Sequence, residues 1–339
     1  MTERDFATEV VARLQKSGYQ AYWAGGCVRD ELLGLPPADY DVATDARPEQ
    51  VQALYKRSHS FGASFGVVEV LGPRGSDGSW LKVQVATFRS DGVYSDGRRP
   101  DQVTFASPQE DACRRDFTIN GLFYDPVAGQ LIDYVGGRAD IEARRLRAIG
   151  DPFQRFTEDK LRILRAVRMA ARFELTIDPG TLAAARRMAN EIRVVSAERI
   201  AEELRKILTD RHRADGIQLL REFDLLPAIL PELVRTIGLP QGLPSDRKGD
   251  LWDHLLNVLR QLSGPLWPEP AAVSFPLAFA ALLHDIGKPG TFGRTGDRYT
   301  FHHHEQLGSR IAAEICKRLR LSNSETERIV WLVRYHQYL

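Results

Sequence analysis

The sequence predicts an α+β molecule, a small mixed head followed by helices. Three observations carry this reading. Residues 2–137 alternate short apolar runs with amphipathic stretches and glycine turns, the pattern of a compact domain built on a sheet. From Thr157 onward the apolar spacing turns helical, with Leu161, Leu164, Val167 and Ala171 on one stripe. The length of 339 residues exceeds what one ordinary core organises, so two or three domains are expected. Their expected bounds are 1–150 for the head, 151–237 for a helical neck and body, and 238–339 for a further helical region. Gly238 to Gly249, rich in Pro and Gly, reads as the connection to that last part.

Composition narrows the class. Lys and Arg number 46 against 45 Asp and Glu, a net charge of +1, so any basic surface must be local. Cys27, Cys113 and Cys316 are odd in number and far apart, which fits free thiols in a reducing cytoplasm. Met1 to Ala12 is charged throughout and lacks a signal-peptide core. No run approaches the roughly 20 apolar residues of a membrane helix. A cytoplasmic location and no membrane are the expectation.

The elements follow in order. Phe6, Val10, Val11 and Leu14 are spaced as the buried stripe of a helix over 2–17. Ala21 to Ala24 reads as a buried strand, Gly25 and Gly26 as a tight turn a ligand can approach, and Val28 to Leu33 as a short helix. A second strand then carries Asp39 and Asp41. Residues two apart share a face of a strand, and Tyr40 and Val42 point the other way. Adjacent carboxylates repel unless a cation lies between them, and a hard ion such as magnesium, arriving with phosphates, suits the pair. Pro48 to Arg57 reads as helix, with Ser64 to Leu71 and Leu81 to Phe88 as strands. Residues 89–100 hold two Asp-Gly turns, at Gly92 and Gly97. Taken singly, these features are ordinary: a turn, a solvated Asp-x-Asp loop, a solvated hairpin.

Thr157 is read as the cap of the next helix, which puts Asp159 and Arg162 three apart on one face. Ser196 is read as the cap of a second amphipathic helix. Six of the eight histidines lie beyond residue 250: His254, His284, His302, His303, His304 and His336. His284 is followed by Asp285, and imidazoles with a carboxylate suit a transition metal.

In combination and in this order the motifs are specific. Tyr22 to Thr44, then Arg114-Arg115-Asp116-Phe117-Thr118-Ile119-Asn120, then Glu158-Asp159 with Arg162, Arg165 and Arg168, resemble the DNA polymerase β-type nucleotidyltransferases. Within them the chain is similar to the class II group, the tRNA nucleotidyltransferases (CCA-adding and A-adding enzymes) and bacterial poly(A) polymerases, from about residue 5 to 235. That resemblance implies catalytic Asp39 and Asp41 holding Mg2+ in a two-metal site. It implies nucleotide binding by Gly25, Gly26, Arg29, Arg115, Asp116 and Asn120. Asp159 and Arg162 would read the base, and Arg165 and Arg168 would face triphosphate or RNA. Residues 89–100 would be the loop that moves between nucleotides. Relatives often carry a Glu just before Thr-Phe-Arg; here Gln84 stands there, so a third acid is not assigned.

The implied activity is template-independent addition of CMP and/or AMP, from CTP and ATP, to the tRNA 3′ end. The alternatives are A-addition alone or poly(A) tailing. Residues 251–339 resemble a histidine–aspartate (HD) phosphohydrolase domain, implying a second metal site at His254, His284 and Asp285 and, from another class, metal-dependent phosphoester hydrolysis. Such domains use a closing Asp. Gln337 follows His336 and the chain stops at Leu339 while still patterned as helix, so the site is read as incomplete or the chain as truncated.

Overall fold

The computed structural model describes residues 1–61, 66–75, 78–92, 103–241, 249–262 and 273–338. The chain divides into two compact units, Met1–Asp159 with Thr176–Thr181, and Lys160–Leu175 with Leu182–Leu339.

The first unit opens with α1 (Glu3–Lys16), started by a reciprocal cap between Thr2 and Asp5. Its buried stripe is Phe6, Ala7, Val10, Val11 and Leu14. There follow β1 (Ala21–Ala24), α2 (Gly26–Leu32), β2 (Asp41–Thr44), α3 (Pro48–Leu54), β3 (Ser58–Phe61), β4 (Val67–Arg74) and β5 (Trp80–Thr87). A small ribbon pairs β6 (Arg89–Asp91) with β7 (Val103–Phe105). Then come α4 (Pro108–Cys113), a 3₁₀ turn at Thr118–Asn120, β8 (Leu122–Asp125), β9 (Gln130–Asp133), α5 (Gly137–Glu142), β10 (Arg145–Leu146) and α6 (Pro152–Glu158).

Seven strands form one sheet in the order β3-β4-β5-β2-β1-β8-β9. All neighbours are antiparallel except β2 and β5, which run parallel with Asp41 opposite Gln84. Gly72 in β4 is required by packing: a Cβ there would come within 2.7 Å of the Phe6 ring of α1. The core near the site is aromatic, with Phe88 edge-on to Phe123 at 5.7 Å and Tyr22 against both.

Three local readings of the sequence are corrected here. The second strand begins at Asp41, so Asp39 lies in the preceding loop rather than on the strand. The short helix starts at Gly26, two residues early, because Gly25 at φ 70° supplies the turn itself. The helix read as starting from Thr157 is two helices. Thr157 lies inside α6, which is capped by Asp151, and its hydroxyl donates to the Phe153 carbonyl. Asp159 is extended at φ −146° and ψ 106° and ends that helix. It therefore shares no helix face with Arg162.

The second unit holds α7 (Leu161–Arg172); β11 (Thr176–Ile177), which pairs with β10, belongs to the first. α8 (Pro179–Arg187) begins in the first unit and continues into the second, and there follow α9 (Ala197–Thr209), α10 (Arg213–Glu222), α11 (Leu226–Ile229), α12 (Pro231–Val234), α13 (Leu251–Gln261), α14 (Phe275–Leu283) and α15 (Lys288–Thr291). A β12–β13 hairpin (Gly293–Thr295, Arg298–Thr300) precedes α16 (His304–Arg318) and α17 (Asn323–Tyr335). The expected stripe of α7 is buried, and so are Ile163, Ala166 and Ala170 around it. A helix apolar over most of its circumference is an interior helix. Ser196 occupies the N-cap position of α9 without a side-chain capping bond. Much of the expected lid, 93–100, and of the expected connection, 242–248, lies outside the described residues. Among the described residues no helix is long and apolar enough to cross a membrane.

Candidate active site and histidine cluster

In the head, the glycine turn after β1 is anchored by Gly25 N–H donating to the Leu122 carbonyl at 3.0 Å. The Arg115 guanidinium lies directly over this turn. A Cβ on Gly25 would stand 2.6 Å from Arg115 Nη1, and the φ of 70° at this position itself favours glycine. Two groups hold Arg115 there. Its Nε and Nη2 donate to Asp111 Oδ2 at 3.2 and 2.9 Å, and its Nη1 donates to the Asn120 carbonyl at 3.2 Å. The Phe123 ring lies 5.0 Å below the guanidinium. Burial pushes the Asp111 carboxyl toward the neutral form, but Arg115 and Arg114 overcome this and keep its pKa below the usual range.

Asp41 heads β2 beside this arginine. Crowding by protein, then the charge of Asp39, push its pKa up to about 6, while Arg115 pulls it down. The Asp39 charge thus raises the cost of ionising Asp41, and a bound cation removes that cost. The acid pair fits a hard divalent ion on this ground. The sheet register extends the row: Asp41 faces Gln84 on β5, which faces Glu69 on β4. Glu69 was not visible from sequence as a neighbour of this row, because register across three strands is a tertiary property.

Arg29, Asp116 and Asn120 take a different place from Arg115. All three are buried. Arg29 pairs with Asp30 at 2.6 Å and donates to Asn120 Oδ1 at 2.6 Å. Asn120 Nδ2 in turn donates to Asp116 Oδ1 at 2.9 Å. The three form one network that locks α2 to the Thr118–Asn120 turn. In the helical unit, Arg168 is bound to the buried Glu203 of α9 at 2.6 Å and is itself mostly covered. Arg162 is buried as well.

The histidine cluster is larger than the sequence suggested. Asp285 Oδ2 lies 3.3 Å from His254 Nε2, 3.1 Å from His284 Nε2 and 2.7 Å from Lys288 Nζ. Its Oδ1 lies 3.1 Å from His304 Nε2 and 3.6 Å from His336 Nε2. Two groups result, His254–His284–Asp285 and Asp285–His304–His336, each able to hold a metal ion, with Asp285 common to both. Nδ1 of His284, His304 and His336 each lies 2.8 Å from a carbonyl oxygen three residues earlier. Donation there leaves the Nε2 lone pairs facing inward. His254 Nε2 and His284 Nε2 are 3.1 Å apart, a separation that requires a proton or a metal for company. Burial works against the Asp285 charge, but the four imidazoles hold its pKa far below the usual carboxylate range.

Gly287 makes this convergence possible. A Cβ there would lie 2.1 Å from the His304 carbonyl oxygen. His302 and His303 are exposed, so one of the three consecutive histidines enters the cluster. Gln337 reaches it with an amide, its Nε2 3.4 Å from His304 Nε2.

Known proteins resemble the chain over both regions. Residues 21–147 match the poly A polymerase head domain, 174–236 the probable RNA- and SrmB-binding site of polymerase A, and 251–339 the HD domain. The chain is 42% identical over 252 residues to the CCA-adding enzyme of Levilactobacillus brevis, covering 74% of this chain and 58% of that one. It is 35% identical over 249 residues to poly(A) polymerase I of Haemophilus influenzae, covering 69% and 53%. The chain thus spans little more than half the length of these relatives. The crystal structure of the Bacillus stearothermophilus CCA-adding enzyme in complex with CTP superposes with a TM-score of 0.62 at 28% identity, over 99% of this chain and 83% of that one. Three domain matches in consecutive order, with these relatives, show that the chain belongs to the family of CCA-adding enzymes and poly(A) polymerases and carries an HD domain behind its helical body.

Proposed function

We propose that this chain is a template-independent tRNA nucleotidyltransferase that adds CMP and/or AMP, from CTP and ATP, to the tRNA 3′ end in the cytoplasm. The observation that carries the reading is the acid pair Asp39 and Asp41 beside a bare glycine turn roofed by Arg115. On this reading a triphosphate meets the turn at Gly25 and Gly26, beside the Arg115 guanidinium that lies over Gly25. The Arg115 fork offers planar donors to its oxygens. On this reading Asp39 and Asp41 serve the point where the α-phosphate and the RNA 3′-hydroxyl meet. The hydroxyl oxygen bonds to the α-phosphorus, its proton leaves, and pyrophosphate departs. Bound at Asp39 and Asp41, a divalent ion, which we take to be magnesium, would supply the positive charge that such phosphoryl transfer requires. On this reading residues 1–150 carry the chemistry and 151–237 select the base and contact RNA. Residues 238–339 form the HD region.

The test uses tRNA transcripts lacking the whole CCA end, ending in one C, or ending in two, each given CTP or ATP alone. Ordered C, C, A addition is expected. Unlimited incorporation of ATP alone would assign poly(A) tailing instead. Asp39→Ala and Asp41→Ala are each expected to lower incorporation by at least 10³-fold while tRNA affinity changes little, since phosphate contacts dominate RNA binding. Turnover near wild type in either variant would remove the acid pair from the mechanism. The second reading, metal-dependent phosphoester hydrolysis, belongs to the histidine cluster and is favoured there by the inward-facing imidazoles.

A further inference from the structure

We propose that an exposed basic platform in the first unit, at the start of β5, docks the phosphate backbone of the RNA substrate. Trp80 opens β5 and is 41% exposed. The guanidinium carbons of Arg57 and Arg74 lie 5.3 and 5.2 Å from its ring centre. Arg57 continues into a hollow of about 350 Å³ that Arg13, Tyr55 and Lys56 also line. There the Arg13 guanidinium lies 4.8 Å from the Tyr55 ring. Among the described residues no carboxylate comes within ion-pair distance of Arg13, Lys56, Arg57 or Arg74. Four cations that make no ion pair among the described residues gather here, with Glu9 the acid whose charge also reaches Tyr55, in a chain whose net charge is +1.

The chemistry points to a polyanion. An arginine stacked on an aromatic ring is held flat, and its edge N–H groups stay free for a phosphate fork. Trp80 therefore acts as a positioning residue for Arg57 and Arg74. Contacts of this kind read backbone charge rather than sequence. Position selects the polyanion. Trp80, Lys82 and Gln84 alternate with buried neighbours along β5 and share its open face. Gln84 faces Asp41 across the parallel pair. Four residues at about 3.3 Å each put Trp80 about 13 Å along the strand from that row. An RNA strand with its 3′ end at the acids passes within reach of the platform. This inference rests on the tRNA reading above, and adds an RNA surface in the head to the one proposed for residues 151–237.

The test separates the two. Equilibrium binding of tRNA is measured at several KCl concentrations without nucleotide, alongside steady-state CTP incorporation. Arg57→Ala/Arg74→Ala is expected to weaken tRNA binding about tenfold and to lower the slope of log affinity against log salt by about 2, one for each lost contact. KM for tRNA should rise while KM for CTP stays put, and thermal unfolding should not change. Arg57→Lys/Arg74→Lys should restore the salt slope. Wild-type affinity and slope in the alanine variant would overturn the platform and leave this surface to some other partner. Failure of the wild-type chain to extend any tRNA would instead overturn the activity, while its RNA affinity still reports on the platform.

Discussion

At the scale of single residues, Arg115 is the group proposed to meet ligand, and its buried neighbours hold the site together. Arg115 sits over the bare Gly25 turn, whereas Arg29, Asp116 and Asn120 spend their hydrogen bonds on one another below it. The motif around Asn120 was legible in the sequence, but this division of labour was not. It depends on burial, which brings residues 29 and 120 together from different elements. The Arg29–Asp30 ion pair is nearly dry on both sides, so it needs the remaining donors of Arg29 to be met. Asn120 meets one and passes a donor on to Asp116. Asn120→Ala should therefore destabilise the first unit by about 2 kcal/mol, the cost of removing a partner from two buried polar groups. That corresponds to a Tm lower by roughly 4–8 °C. Denaturant unfolding of this variant with a change below about 0.3 kcal/mol would show the network to be dispensable.

At the scale of elements, periodicity carried the reading where one face is buried and failed where tertiary structure intervenes. The stripe of α1 and the alternation of β5 were both legible, because a helix of period 3.6 and a strand of period 2 write themselves into the sequence. Parallel pairing of β2 with β5 was not, since register across a crossover leaves no local trace. Asp39 was assigned to a strand that begins at Asp41; two acids spaced by one residue look alike in a strand and in the loop before it. The break at Asp159 was missed for a related reason. The apolar stripe begins just after it at Leu161, and aspartate is only a modestly poor helix former, so the helix was read as starting too early. The extended backbone of Asp159 removes the intrahelical ion pair as an explanation for this motif. Base reading remains its proposed role. Cytosine and adenine both present an amino donor beside a ring-nitrogen acceptor, and uracil and guanine present the reverse. A carboxylate only accepts and a guanidinium only donates, so Asp159 and Arg162 suit the first pair. Each mismatch with the second costs about 1–3 kcal/mol. Asp159→Ala and Arg162→Ala should lower CTP and ATP efficiency and narrow the gap to UTP and GTP. Incorporation of each nucleotide singly onto one acceptor tRNA measures this, and unchanged preference ratios in both variants would refute it.

For the molecule as a whole, each of the two candidate metal sites is built within one compact unit. Asp39 and Asp41 belong to the first unit, and His254, His284, Asp285, His304 and His336 all belong to the second. The sequence pointed to a second candidate site at His254, His284 and Asp285, and the structure brings His304 and His336 to the same aspartate. His304 and His336 come from α16 and from the end of α17, and nothing in their spacing ties them to Asp285. What ties them is the close approach of Gly287 to the start of α16. Because Asp285 serves both groups, one substitution addresses both. Asp285→Asn keeps the side-chain shape beside Lys288 and removes the shared negative charge. Bound divalent metal, measured on the purified protein by elemental analysis, should fall from one or two ions per chain to nearly none. Chelation should lower the thermal stability of the wild type and leave this variant unaffected, since an ion that binds only the folded form stabilises it by mass action. Hydrolysis of a generic phosphodiester should be metal-dependent in the wild type and absent from the variant. His336→Ala should lose metal from its own group and keep the other. On the proposed reading nucleotide addition uses the first unit's acids and none of these ligands, so both variants should add CMP and AMP to tRNA at rates within about twofold of wild type, far less than the 1.4 kcal/mol that a tenfold loss represents. A tenfold or greater loss of addition in variants that keep their circular dichroism would mean that the two sites work as one.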